Sequence, residues 1–205
     1  VMPLTLHTAS GQEQAVIGVV DPLGNPVADA EVVLTRGEER YRFLTNSTGH
    51  AVFLNLPHGV YNVGVKIRGV TVASGELSFP EESLLNLTAM IARMNITLSN
   101  MDGEPVGGAA LLLQSSARTF NITKGSDPSG RTSLSKVPYC SLEEIGNYSL
   151  EVWWMGLKVL SMDVEVSQPI IDLNLTLPLL NLNVTVTNLE GEKVRGVRII
   201  LSAGN

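Results

Sequence analysis

Tyr61, Val63, Val65 and Ile67 occupy every second position of one stretch, with Asn62, Gly64 and Lys66 between them. An apolar residue at every second place is the period of a strand with one face in a core. The same period runs through Asn95–Ser99, where Asn95, Thr97 and Ser99 share one face and Ile96 and Leu98 the other. Ala30–Leu34 and Ala109–Leu113 are short apolar runs that read as buried strands. Turn residues recur about every 8–12 positions, and this spacing over short strands predicts an all-β chain of antiparallel β-sandwiches. Glu81–Leu85 and Ser141–Ile145 are the two helix candidates. Both are too short to stand alone.

The pattern repeats. Gly24, Gly103 and Gly191 can be superposed, and then Val27, Val106 and Val194 coincide, as do Ala30, Ala109 and Val197, and Leu34, Leu113 and Leu201. Asp or Asn followed by Gly predicts a turn, because Gly tolerates positive φ and Asp or Asn bonds its own backbone. Downstream, Gly49 falls on Gly130, Pro57 on Pro138, Tyr61 on Tyr148 and Gly69 on Gly156. Gly69 and Gly156 are expected in hairpin turns leading into strands Val70–Phe79 and Leu157–Val166. Asn86–Gly103 aligns without a gap on Asn174–Gly191, and no Gly/Ser-rich linker separates the copies. The expected organisation is an N-terminal strand or linker (1–14), one sandwich (15–91), a second (92–180) and the first strands of an incomplete third (181–205). Short connections imply closely coupled units.

The order D-x-x-G-x-P-V-x-x-A-x-V-x-L, followed by T-x-x-T-G-x-A-x-F-x-x-L-P-x-G-x-Y-x-V-x-V, occupies Asp21–Val65. It resembles the carboxypeptidase-regulatory-like or transthyretin-like β-sandwich. The second copy departs from it at Ser133 and Leu134, and loses the Gly of P-x-G-x-Y. The resemblance implies an Ig-like or transthyretin-like fold. Such domains occur as passive appendages, in surface-layer and adhesin proteins, and in sugar-binding modules, so the fold does not assign a function.

Charged residues make up 17% of the 205, and the net charge is −6. A nucleic-acid binder needs basic patches, and this balance argues against one. No apolar run approaches the ~18 residues of a membrane helix. Cys140 is the one cysteine, which fits a chain that does not use disulfides.

Asn-x-Ser/Thr triplets begin at Asn46, Asn86, Asn95, Asn121, Asn147, Asn174 and Asn183, against roughly two expected by chance from this composition. They are acceptors for N-linked glycans if the chain is exported. Strand patterning alone generates some of them, but not obviously Asn46 and Asn121, which lie near turns or strand ends. Glycans also solubilise a surface poor in charge. With low Cys and high Val, Leu and Ile, the pattern is similar to that of archaeal cell-surface proteins.

Little else points to chemistry. His7, His50 and His58 share no metal-ligand spacing with one another or with Cys140. Glu81/Glu82 and Glu143/Glu144 are adjacent, whereas a catalytic carboxylate pair must be opposed across a cleft. Asp21, Asp29, Asp102 and Asp127 lie near turns, where oxygen ligands for Ca²⁺ would sit, but no Asp-x-Asp-x-Asp run supports a site. No catalytic residue, cofactor or metal is therefore assigned. In Trp153-Trp154, alternation with Tyr148, Leu150 and Val152 turns Trp154 inward and Trp153 outward. An exposed Trp stacks on a sugar or seals a contact, or packs under a neighbouring loop.

The reading these features favour is a non-enzymatic extracellular structural protein. It is a glycosylated tandem sandwich of a surface filament, S-layer or stalk, self-associating or meeting other surface components. The partial third copy reads as a cut from a longer array or as a sheet completed by a strand from another chain. An adhesin or carbohydrate-binding array using Trp153 is the alternative. Accessory domains of a larger surface enzyme are a third reading.

Overall fold

The computed structural model describes residues 13–115, 120–139 and 146–200. Every regular element among them is a strand: β1 (Gln14–Val20), β2 (Glu31–Arg36), β3 (Glu39–Leu44), β4 (His50–Leu54), β5 (Gly59–Ile67), β6 (Val70–Phe79), β7 (Leu84–Thr88), β8 (Ile91–Ser99), β9 (Ala110–Ser115), β10 (Asn121–Gly125), β11 (Arg131–Pro138), β12 (Asn147–Trp154), β13 (Leu157–Glu165) and β14 (Ile170–Thr176). They form four sheets, ordered β4-β1-β7 and β3-β2-β5-β6 in the first sandwich, and β11-β8-β14 and β10-β9-β12-β13 in the second.

The internal repeat thus extends to strand order. β1 and β8 are each the middle strand of a three-stranded sheet, antiparallel to β4 and β11 and parallel to β7 and β14. The apolar alternation sets what is buried. Ala15, Ile17 and Val19 on β1, Val32 and Leu34 on β2, and Tyr61, Val63 and Val65 on β5 are in the core. Met94, Ile96 and Leu98, Leu111 and Leu113, and Tyr148, Leu150 and Val152 fill the matching places in the second sandwich. A one-residue slip in any of these strands would turn its whole apolar set to solvent, so the pattern itself enforces register.

The expected hairpins form at Arg68-Gly69 and Met155-Gly156. Both central residues have positive φ (52° and 79°, 48° and 82°), as a two-residue turn matched to the strand twist requires. Glu81–Leu85, a helix candidate too short to stand alone, forms no helix. Leu84 and Leu85 instead open β7, which pairs with Val16 and Ile17 of β1, and Leu85 and Leu87 pack on the core. Five residues gain more from that ladder than from one helical turn. The other helix candidate, Ser141–Ile145, lies outside the described residues, as do His7, Cys140 and Glu143/Glu144.

Residues 181–200 carry strand patterning but make no ladder. Their regular feature is the turn around Asn188, with a bridge between Thr187 and Lys193. Leu182 and Val184 align with the buried Met94 and Ile96, yet they are 66% and 48% exposed. No partner strand covers them among the described residues.

Candidate functional surface

Five loops share one construction. Asp21, Asn46, Asn100, Asp127 and Asn188 each open a loop whose fourth residue is a glycine, with φ between +72° and +84°. In each, the side-chain oxygen accepts the backbone N–H groups two and four residues on. The donors are Leu23 and Asn25, Thr48 and His50, Asp102 and Glu104, Ser129 and Arg131, and Glu190 and Glu192. Asp and Asn serve equally because only an acceptor oxygen is needed. The Asp127 carboxyl is held below its ordinary range by the Ser129 hydroxyl and the backbone N–H of Arg131.

Two of these loops, those of Asp21 and Asn100, lie at the joints between repeats. β7 ends at Thr88 and β8 begins at Ile91, so Ala89 and Met90 are the entire connection. Asn-Leu-Thr tripeptides end both β7 and β14. Ala89 N–H donates to Val20 and Ile91 N–H to Ala89. The aligned bonds recur at the next joint, from Leu177 to Ser99 and from Leu179 to Leu177.

Each joint also has bonds of its own. Met90 N–H donates to Val72, Tyr139 N–H donates to Met90, and Lys136 Nζ reaches the carbonyl of Ala28 at 2.6 Å with Asp29 at 3.7 Å. Lys136 can reach back because it sits with φ +55° where the β8–β11 register shifts, a bulge that re-aims the side chain. A cavity of about 170 Å³ lies at this joint, lined by Asp21, Asn25, Arg93, Lys136 and Pro169. At the second joint, Met101 N–H donates to Leu179, and Asn181 meets Asp102 and Glu104. Backbone bonds across a two-residue connection leave little torsional freedom.

All seven sequon asparagines are exposed. Asn86 on β7 and Asn174 on β14 are aligned across the repeat, as are Asn95 on β8 and Asn183. Asn95 and Asn174 share the outer face of one three-stranded sheet, where Asn95 Nδ2 donates to Asp172 at 2.9 Å. Asn121 opens the edge strand β10, and Asn147 opens β12. Asn46 belongs to the loop before β4.

Trp153 does point outward, 37% exposed, and Trp154 packs against the core. The indole of Trp153 is not free, however. Its N–H donates to Glu151, and the Lys158 ammonium stands 5.8 Å from the ring centroid while pairing with Glu151 at 3.1 Å. The Lys158 bond, with the Trp153 N–H second, holds the Glu151 carboxyl below its ordinary range. This triad covers one face of the indole, and the sequence offers no signal for it because Lys158 comes from the next strand.

The other candidates are dispersed. His50 Nδ1 contacts the Thr48 hydroxyl, and His58 Nε2 meets Glu13 at 2.9 Å. The Asp21 and Asp127 carboxylates serve their own loops, and no group of three His, Cys, Asp or Glu able to hold a metal occurs among the described residues. No described helix is long and apolar enough to cross a membrane.

No family model matches the chain, and no curated protein matches it. Among solved structures it is similar to the minor pilin GBS52 of Streptococcus agalactiae, at 14% identity and TM-score 0.43, over 86% of this chain and 100% of that one. It is similar to the shaft pilin SpaA of Lactobacillus rhamnosus GG, at 10% identity and TM-score 0.46, over 84% and 100%. It is also similar to the Bacillus anthracis TIE protein, at 15% identity and TM-score 0.40, over 89% and 40%. At these values the function has to be argued from the chain's own geometry.

Proposed function

We propose that the chain is a structural protein of the cell exterior, a stiff length of rod in a surface filament, S-layer or stalk. The observation that carries this reading is the joint. Two sandwiches meet through a two-residue connection whose backbone groups bond to both sides, and Lys136 clamps the contact. Equivalent bonds mark the second joint, so each repeat sets the direction of the next. An array of this kind transmits tension and spacing without a catalytic group. In this reading the exposed sequons bear N-linked glycans, which solubilise a surface poor in charge. Residues 179–187 are where a second copy would add a strand, since their apolar positions match those buried in β8.

The experiment is negative-stain electron microscopy of native material taken from its source without denaturation. Fibres or a lattice with a repeat near the length of one sandwich are expected. Dispersed single particles would overturn the assembly reading.

A further inference from the structure

The five loops built on Asp or Asn differ in one respect that bears on modification. The loop needs only the side-chain oxygen, which is why Asp occupies two of the five places. Where the residue is Asn, the amide nitrogen is left to find its own partner. In the Asn100 loop it donates to Glu104, and in the Asn188 loop to Glu192, each at 3.2 Å. The residue at that place in the Asn46 loop is His50, and no bond from Asn46 Nδ2 accompanies the three bonds to its Oδ1.

The third of those bonds is particular to this loop among those opened by Asn. The Thr48 hydroxyl donates to Asn46 Oδ1 at 2.7 Å, beside the N–H groups of Thr48 at 2.9 Å and His50 at 3.0 Å. The Asp127 loop has the same hydroxyl contact from Ser129 at 2.6 Å, but a carboxylate has no nitrogen to modify. Among the described residues, Asn46 alone thus combines a fixed amide oxygen, a hydroxyl at the second following residue, an uncommitted amide nitrogen and solvent exposure.

Five other sequons lie in strands whose backbones are held in ladders. Asn95 is on a middle strand with Nδ2 already bonded to Asp172. Asn86 and Asn174 are on β7 and β14, each paired along its length with the neighbouring strand. Asn121 is paired with Gln114 and Asn147 with Glu165. To bend such a segment into a transferase, an inter-strand ladder must first open, whereas Asn46 already lies in a turn, and the backbone bonds it makes itself (Asn46 N–H to the carbonyl of His50, Gly49 N–H to that of Asn46) stay within that turn. Asn183 lies in no ladder and belongs to neither class.

We propose that Asn46 is an N-glycan acceptor that remains usable after the first sandwich has folded, while folding closes Asn86, Asn95, Asn121, Asn147 and Asn174. The inference rests on the glycoprotein reading above. The co-substrate is a polyprenyl-phosphate-linked oligosaccharide. Asn46 Nδ2 bonds to the anomeric carbon as the bond from that carbon to the phosphate oxygen breaks. The lipid phosphate leaves with the bonding pair, and Nδ2 gives up one proton to a base of the transferase. The loop's share is preorganisation: the amide is already oriented, so its ordering is not charged to the transfer step.

The test uses the full chain made in a host without N-glycosylation. It is incubated, folded or urea-unfolded and diluted, with glycosylating membranes and their lipid-linked donor. Occupancy is read by glycopeptide mass spectrometry. In folded protein, Asn46 should be modified at least about tenfold more than any of the five ladder sites, because those need local unfolding first. In unfolded protein the difference should collapse.

Asn46→Asp keeps the loop's oxygen, as Asp21 and Asp127 do, and should melt with the parent while losing the glycan. Thr48→Val should abolish transfer at Asn46 with the loop's backbone bonds intact. If Asn46 is modified only in unfolded protein, or no faster than the ladder sites in folded protein, this inference is overturned and the glycoprotein reading stands. If no site is modified in either state and native material carries no glycan, both fall.

Discussion

Gly49 lies against the carbonyl oxygen of Val19: its φ is +77°, and a β-carbon placed on it would sit 2.5 Å from that oxygen. Gly130 stands in the same relation to Leu98 in the second sandwich. In both, the carbonyl of the glycine accepts the N–H of the strand residue it crowds, Val19 or Leu98. The close approach is therefore part of how each loop closes on its central strand.

Gly49→Ala and Gly130→Ala should each cost about 2–4 kcal/mol, the left-handed backbone penalty plus a clash with a backbone atom that cannot swing away. Gly69→Ala and Gly156→Ala have the same sign of φ but open space around the added carbon. They should cost about 1 kcal/mol, the backbone component alone. Thermal melts of the four variants check this ranking. Equal losses would show that the approach to Val19 and Leu98 is not tight.

The hydroxyl of Tyr61 donates to Pro57 at 2.6 Å, and that of Tyr148 donates to Pro138. Burial pushes the Tyr148 phenol well above its ordinary range. Tyr148→Phe should lose about 1 kcal/mol at neutral pH. A folded pKa above the unfolded one means that the bond's contribution is whole below about pH 10 and declines as pH rises beyond it. The gap between parent and Tyr148→Phe should therefore narrow in alkali, read by denaturant melts at several pH values.

Asp127 titrates in the opposite sense. Its folded pKa is lowered, so its contribution is present above the unfolded value of about 4 and is lost as pH falls through the folded value. Asp127→Asn preserves the acceptor oxygen, as the Asn100 loop shows. The variant should melt near the parent at pH 7 and lose less stability between about pH 4 and pH 2. Identical acid profiles would show that the Ser129 and Arg131 bonds do not survive in solution.

Lys136 offers a test of stiffness. Lys136→Ala removes the bond to Ala28 and the pairing with Asp29. It should broaden the distance distribution between spin labels on Glu76 and Ser161, placed in a Cys140→Ser background. Each sandwich should keep its melting temperature within a few degrees, because the side chain is partly exposed and its ion pair weak. An unchanged distribution would assign the joint's stiffness to the backbone bonds of Ala89–Ile91 alone.

The sequence by itself determined most of the strands, which face of each is buried, where the chain turns and that the unit is written more than once. Those properties are local. An alternation such as Tyr61–Ile67 has one low-energy way to meet a core, and Asp or Asn three residues before Gly has one favoured loop. Only the tertiary structure decided the rest. Glu81–Leu85 became a turn and a strand because β1 offered β7 a parallel partner 68 residues away (Val16 against Leu84). Trp153 was committed by Glu151 and Lys158 across a hairpin, and the joint was locked by Lys136, more than 100 residues from Ala28. The β1–β7 and Lys136–Ala28 contacts join residues far apart in the chain and the Trp153 set joins adjacent strands across a hairpin; in each case no periodicity within one segment carries the identity of the other. The seven sequons were visible as triplets, but what distinguishes Asn46 is that the fold leaves it in a loop while pairing Asn86, Asn95, Asn121, Asn147 and Asn174 into ladders, and that depends on which strands come to lie beside each segment.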